Sequence, residues 1–361
     1  MNTIHLNGRL IGENQPCFIT FEAGPTHDGL ESALKLVSLA ANAGADAIKF
    51  QIFDPDRLVS DKKQQFSYDI LVDKDSGVTR TVSEPLYDIL KRRSMNFDQW
   101  RSVKSAADEL GLAFFATVGF EEDIDLLVEL NCDSIKIASA DVNHFPLISR
   151  AAKTGMVIQL DTGNATLGEV EAAVDCCLAN GNDQIIIHQC PSGYPARLES
   201  IHLNMIHTLK EMFPFPVAFS DHTPGWEMDI AAVAMGASLV EKTITRDRTT
   251  PSVEHIFSLE ADQLMPFIAS IRDLEKAKGD RRRMLPQEQL QNRKAIRRSA
   301  YAATDIAPGT KLTEQLIEYR RPGYGIAPTD HDQLMAATTN QPIGKGEAIR
   351  WNQLTGVGVV K

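Results

Sequence analysis

The sequence predicts an α/β fold, a (β/α)8 TIM barrel, followed by a small β-rich domain. Three observations carry this. Short apolar runs alternate with amphipathic stretches of helical period over the first ~280 residues, as in a parallel sheet covered by helices. The run-plus-helix unit occurs eight times, which suits a closed barrel better than an open sheet. From Arg297 onward the pattern changes to short strands with Gly and Pro turns.

The first unit is the strand CFITFEAG (17–24) with the helix LESALKLVSLAANAGA (30–45). The strand AIKFQIF (47–53) is followed by a long polar insertion, 54–94, and then by the helix FDQWRSVKSAADELG (97–111), with Gly111 as its C-terminal cap. A loop that long at the catalytic end of a barrel is more often functional than idle. Next come AFFATV (113–118) with EDIDLLVELN (122–131), and SIKIAS (134–139) with PLISRAAKTG (146–155). VIQLDT (157–162) pairs with LGEVEAAVDCCLANG (167–181), and QIIIHQC (184–190) with LNMIHTLKEMF (203–213). The series closes with PVAFSD (216–221), EMDIAAVAMGA (227–237), LVEKTIT (239–245) and ADQLMPFIASIRDLEKAKG (261–279). The expected organisation is a barrel domain over 1–280, a charged linker over 281–296, and a small domain over 297–361.

A net charge of −11 argues against nucleic-acid binding and against a basic membrane face. The N-terminal MNTIHLNGRL lacks the apolar run of a signal peptide, and no stretch of about 18 apolar residues suggests a membrane span. The five cysteines have no metal-ligand spacing and read as reduced core thiols, which points to the cytoplasm.

A barrel of this kind places its active site at the C-terminal strand ends. Here those ends carry Glu22, Lys49 with Gln51, Thr117, Lys136 with Ser139, Asp161 with Thr162, Cys190 with Ser192, Ser220 to His222, and Glu241 to Thr243. Two lysines inside apolar strands, with hydroxyls converging on them, suit a phosphate or carboxylate, which needs several donors. Glu22 suits proton transfer or sugar hydroxyls, or else an ion pair with Lys49 or Lys136. His222 is open to two readings, structural or metal-ligating. Lys136 is equally open to service as the nucleophile of a Schiff-base aldolase.

The stretches FEAGPTHDG, AGADAIKFQIF, KIASADVNHFPLI, LDTGNATLGEVEAAV, QCPSGYPA, FSDHTPG and VEKTITRD, in this order, resemble the sialic acid synthase family, which makes nonulosonic acids. RRSAYAATDIAPGTKLTEQLIEYRRPGYGI is similar to the antifreeze-like (SAF) domain that ends those enzymes. The resemblance implies condensation of phosphoenolpyruvate (PEP) with an N-acyl sugar: PEP C3 attacks the aldehyde, water adds at C2, and phosphate leaves by C–O cleavage. It implies PEP binding by Lys49, Thr117, Lys136, Ser139, Ser192 and Ser220. Glu22 and His222 would be catalytic, and Gln51, Tyr194, Glu254 and Arg321 would face the acceptor. It further implies a domain-swapped homodimer in which Arg321 reaches the partner's mouth.

The resemblance also implies a divalent metal, Mn2+ or Mg2+, held by two histidines. His222 matches the first, but Thr243 stands where the second is expected. Asp161 replaces a usual Ser, Glu254 a usual Asp and Thr26 a usual Asn. The PEP side therefore reads as intact and the metal side as altered. Asp161 or Glu241 are the candidates to complete a metal shell around His222; without them no tightly held metal is expected there. Alternatives to a synthase with a changed acceptor are a Schiff-base aldolase at Lys136 or a sugar-phosphate-binding protein without turnover.

Overall fold

A computed structural model describes residues 2–279 and 282–356. The expected boundaries at 280 and 281, and the end of the chain at 357–361, lie outside the described residues. Two compact units are present, Met1–Gly279 and Asp280–Lys361.

In the first unit eight parallel strands close a barrel: β1 (Phe18–Glu22), β2 (Ala47–Ile52), β3 (Ala113–Val118), β4 (Ser134–Ile137), β5 (Val157–Asp161), β6 (Ile185–Gln189), β7 (Val217–Asp221) and β8 (Leu239–Thr243). A helix follows each strand, from Leu30–Ala43 to Ala261–Lys278, as the alternation predicts. Gly111 follows the helix Phe97–Glu109 with φ +74°, a conformation glycine adopts without strain.

The strands read as continuous apolar runs because both faces are covered, but the two faces differ. Outward residues such as Ile19, Phe21, Ile48, Phe50, Ile135 and Val240 pack on the helices in one large core. Inward residues form layers. The bottom layer is apolar: Phe18, Ala47, Ala113, Phe115, Val157, Ile186, Ala218 and Leu239. A hairpin of Ile4–Leu6 and Arg9–Ile11, which the sequence reading left unassigned, seals it with Ile4, Leu6 and Ile11. Above that layer the inward residues turn polar, with Glu22, Lys49, Lys136, Gln159, His188, Ser220 and Glu241 all buried. The strand period of two puts every alternate residue into the lumen, so the sealed floor leaves one wet end.

The insertion after β2 is not structureless. Gln65–Leu71 and Thr79–Pro85 form an antiparallel hairpin, and Tyr68, Ile70 and Ile89 pack with Val253.

The second unit pairs Ser299–Ala302 with Ile317–Arg320 and Thr338–Thr339 with Leu354–Thr355. Its own core gathers Ala300, Ile306, Leu312, Leu334, Ile343 and Ile349. Within the stretch expected as a linker, Gln287–Ile296 is a helix with no buried residue; its polar composition allowed for a linker but hid the helix.

Phe115 is fully buried in the apolar floor. Phe115→Ala should cost ~3–5 kcal/mol in urea unfolding, the range for a truncated core aromatic. A loss below ~1 kcal/mol would show that the floor does not bear on stability.

Candidate active site

The polar layer is organised by one carboxylate. Glu241, inward on β8, accepts from Lys136 at 2.7 Å through both oxygens and from Lys49 at 3.0 Å. Lys49 also bonds Glu22, its register partner on the neighbouring strand. Lys136 reaches Ser220 Oγ at 3.0 Å and Asp161 at 3.1 Å. Isolated charges in such a place would be expelled; here each is matched. Burial works against the charged forms throughout. Even so, Lys136 and Lys49 hold Glu241 well below the usual carboxylate range. Glu22 and Glu241 hold Lys49 well above its ordinary value despite burial. Glu22 goes the other way: burial raises it, only partly offset by Lys49. A buried carboxyl with a raised pKa suits proton transfer.

Beneath Ser220 lies a hydrogen-bonded chain that the sequence reading missed. Gln159 Nε2 donates to Ser134 Oγ at 2.7 Å, which turns its Oε1 toward His188 Nε2 at 2.9 Å. His188 Nε2 therefore carries the hydrogen and Nδ1 is the acceptor facing Ser220 Oγ at 2.9 Å. Burial, followed by Lys136, lowers His188 to about 3, so it is neutral near pH 7. Period-two parity was the available signal, since His188 is inward on a strand that otherwise looks like plain core.

Lys242 faces outward from β8, opposite to Glu241. It bonds Asp221 and donates to Thr223 O at 2.5 Å, with Asp229 at 3.7 Å. Glu-Lys-Thr thus divides its labour: Glu241 joins the lysines in the lumen, and Lys242 ties down the loop that carries His222.

The other expected residues are distributed as follows. Thr117 is half-buried on β3 and pairs in register with Gln51 and Lys136. Gln51 Nε2 approaches Glu22 at 3.5 Å. Ser139 lies beside Gly163, where a Cβ would come within 3.3 Å of its hydroxyl. Ser192 is exposed and donates to Gly163 O at 2.5 Å, so it sits in the loop layer above the lysines rather than on them. Tyr194 lies against His222 with ring centroids 4.6 Å apart. Arg321 is exposed in the second unit. Glu254 has φ +74° and reaches Thr243 Oγ1 at 3.5 Å. Burial, reinforced by Glu22, raises it to about 8.

The two carboxylates expected to complete a metal shell have other partners. Asp161 is bound to Lys136 and lies 3.2 Å from Ser220 Oγ. Glu241 is likewise taken, by both lysines. His222 Nδ1 faces Pro191 O at 3.2 Å, leaving only Nε2, and Thr243 offers a neutral hydroxyl. One imidazole nitrogen beside a threonine, two ammonium-paired carboxylates and Glu254, whose carboxyl is raised to about 8 by burial, does not fit a resident divalent metal. Among the described residues no group of three or more His, Cys, Asp or Glu is placed to hold one. Asp161 thus adds a carboxylate to the lysine cluster itself.

Comparison with known proteins places this geometry. Residues 36–283 match the NeuB family and residues 297–355 the SAF domain. The chain belongs to the NeuB family. It is similar to N,N'-diacetyllegionaminic acid synthase of Legionella pneumophila, 30% identical over 348 residues, which cover 95% of this chain and 96% of that one. It is also similar to human N-acetylneuraminate-9-phosphate synthase, 31% identical over 315 residues, 86% of this chain and 84% of that one. Among solved structures, N-acetylneuraminic acid (sialic acid) synthetase from Leptospira borgpetersenii, in complex with citrate, superposes with a TM-score of 0.69 at 28% identity, covering 82% of this chain and 97% of that one. No helix among the described residues is long and apolar enough to cross a membrane.

Glu254 makes a pH prediction. A carboxyl raised to about 8 keeps its proton in the folded state while the unfolded chain has lost it. The folded state binds more protons between the ordinary carboxylate range and about pH 8, so its stability falls as pH rises through that window. Urea midpoints should decline over this range in the native protein, and Glu254→Gln should flatten the decline. An identical slope in both proteins would contradict the shift.

Proposed function

We propose that the chain condenses PEP with the aldehyde of an N-acyl amino sugar or related aldose, forming a nonulosonic acid and releasing phosphate. The observation that supports this most is the pair of buried lysines, Lys49 and Lys136, brought to one point by Glu241 at the open end of the barrel. A phosphate and a carboxylate need that density of donors, and few neutral ligands would justify it. The family membership, and relatives that make nonulosonic acids, support the same reaction.

In this reading Lys49 and Lys136 hold PEP, with Ser220, Thr117 and Ser139 as hydroxyl partners and Ser192 in the loop above. C3 bonds to the aldehyde carbon, water adds at C2, and the C2–O bond breaks so that phosphate leaves with the electron pair. Glu22, raised by burial, takes the proton of the water. Gln51 and Tyr194 face the sugar, with His222 behind Tyr194. Glu254 keeps its proton to about pH 8 and stands at the acceptor side, where the aldehyde oxygen gains one. A Schiff-base reaction at Lys136 is less well served, because its nitrogen is engaged with Glu241, Ser220 and Asp161.

Asp161 competes with the ligand for Lys136 at 3.1 Å. Asp161→Ser should tighten PEP at least ~tenfold, since a carboxylate this close opposes an anion by more than a kcal/mol. Lys136→Ala should abolish binding. Calorimetry with PEP reads both; unchanged affinity in the two variants would remove PEP from this site. Borohydride trapping of substrate on Lys136 would instead establish the aldolase.

We also propose a domain-swapped homodimer, with Arg321 of one copy holding the acyl group at the other copy's mouth. Lys136→Ala and Arg321→Ala proteins, each inactive alone, should then regain activity when unfolded and refolded together, because mixed dimers carry one complete mouth. Refolded mixtures as inactive as their parents would argue that Arg321 does not act in trans.

A further inference from the structure

Three loops at the C-terminal ends of β1, β2 and β8 enclose a cavity of about 190 Å3, room for several waters. Its walls come from Thr26–Asp28, from Arg92 and Arg93 at the end of the insertion, and from segments within 245–255. It adjoins the mouth. Thr26 donates to Ile244 O at 2.6 Å, one residue beyond Thr243, and His255 on the wall follows Glu254.

The charge of this cavity is unusual. Arg93 is only 7% exposed, yet it makes no salt bridge among the described residues. The one hydrogen bond of its side chain among the described residues runs from Nε to Ile89 O at 3.4 Å, and none of those residues offers an acceptor to the two amino groups of the fork. Burial pulls its guanidinium below the usual range, opposed by Glu254 and then Glu22. Arg246 stands exposed at the rim with no ion pair among the described residues. Arg92 is different, being matched to Glu84 by bonds of 2.7 and 2.8 Å. The two histidines contribute no charge near pH 7, since burial lowers His27 to about 3 and His255 to about 4. That leaves Arg93 and Arg246 against the single lining carboxylate, Asp28. A desolvated guanidinium without an anion is costly to keep, and its planar fork matches a phosphate or carboxylate in two places.

We infer that this cavity binds a phosphate or carboxylate carried by the acceptor sugar away from its aldehyde, with Arg93 on the floor and Arg246 at the rim. Taking the condensation proposed above as the reaction, the acceptor is then an anionic sugar rather than a neutral one. Position 93 and the cavity are distinct from the lysine cluster that would hold PEP, so the two sites can fail separately.

Calorimetry tests this without turnover. The full-length protein is titrated with an N-acyl hexosamine, its 6-phosphate, the matching 6-carboxylate and inorganic phosphate. An anionic sugar should bind at least ~tenfold tighter than its neutral parent, as expected for one bidentate charged contact. Arg93→Leu should erase that preference while leaving the affinity for the neutral parent within ~twofold; Arg93→Lys should retain part of it, and Arg246→Ala should reduce it. Thermal melts of each variant establish that it is folded, and if Arg93→Leu is not, Arg93→Lys and Arg246→Ala carry the test. Equal binding of all three sugars would overturn the inference, as would a preference that survives in the folded variants. Inorganic phosphate binding as tightly as the sugar phosphate, and losing affinity with Arg93, would assign the cavity to a free anion and overturn the acceptor. A parallel PEP titration reports separately on the lysine site.

Discussion

The structure depends on keeping two ammonium groups inside a barrel. Lys49 and Lys136 are almost fully buried, and each is matched there by carboxylates: Glu241 bonds both, Glu22 joins Lys49 and Asp161 joins Lys136. That requirement orders the rest. The lumen is apolar only at its floor, where an N-terminal hairpin seals it. Above the floor the layers turn polar, and Gln159 and His188 form a neutral chain that orients Ser220 without adding charge. The strand that supplies Glu241 also supplies Lys242, whose contacts with Asp221 and Thr223 fix the neighbouring loop. A ligand with two anionic ends can take over the partners of both lysines, and the cluster then becomes a binding site.

The same account explains where this chain differs from the pattern it resembles. Thr243 removes an imidazole, and Asp161 and Glu241 are already engaged by lysines, so neither is left to complete a metal shell around His222. Glu254 stands beside Thr243 with its proton retained to about pH 8. Arg93 brings a positive charge to the same side of the mouth. The side of the mouth around Thr243 thus carries a retained proton and a guanidinium in place of an imidazole, while the lysine pair is kept.

Much of the fold was legible because period and length suffice for it. Eight apolar runs with helices between them specify a barrel, and parity then puts Lys49 and Lys136 in the lumen. The resemblance supplied the roles expected of Glu22, Gln51 and Tyr194. Three features were not legible. The engagement of Asp161 by Lys136 depends on which neighbour wins a competition in space. Arg93 looks like one more charge in LKRRS, and only packing of the insertion buries it. In the hairpin within 54–94 only the first strand alternates, with Phe66, Tyr68 and Ile70, while its partner TRTVSEP offers one large apolar residue, Val82, so the pair is only half announced.

The central claim is that the lysine pair holds PEP for attack through C3, with phosphate leaving by C–O cleavage. PEP labelled with 18O in the bridging oxygen between C2 and phosphorus tests it most directly. Incubated with protein and an accepted sugar, the label should appear in the released phosphate, in step with formation of the nine-carbon acid. Label retained in the organic product would mean P–O cleavage and would contradict the account, as would a complete lack of phosphate release across neutral and anionic acceptors.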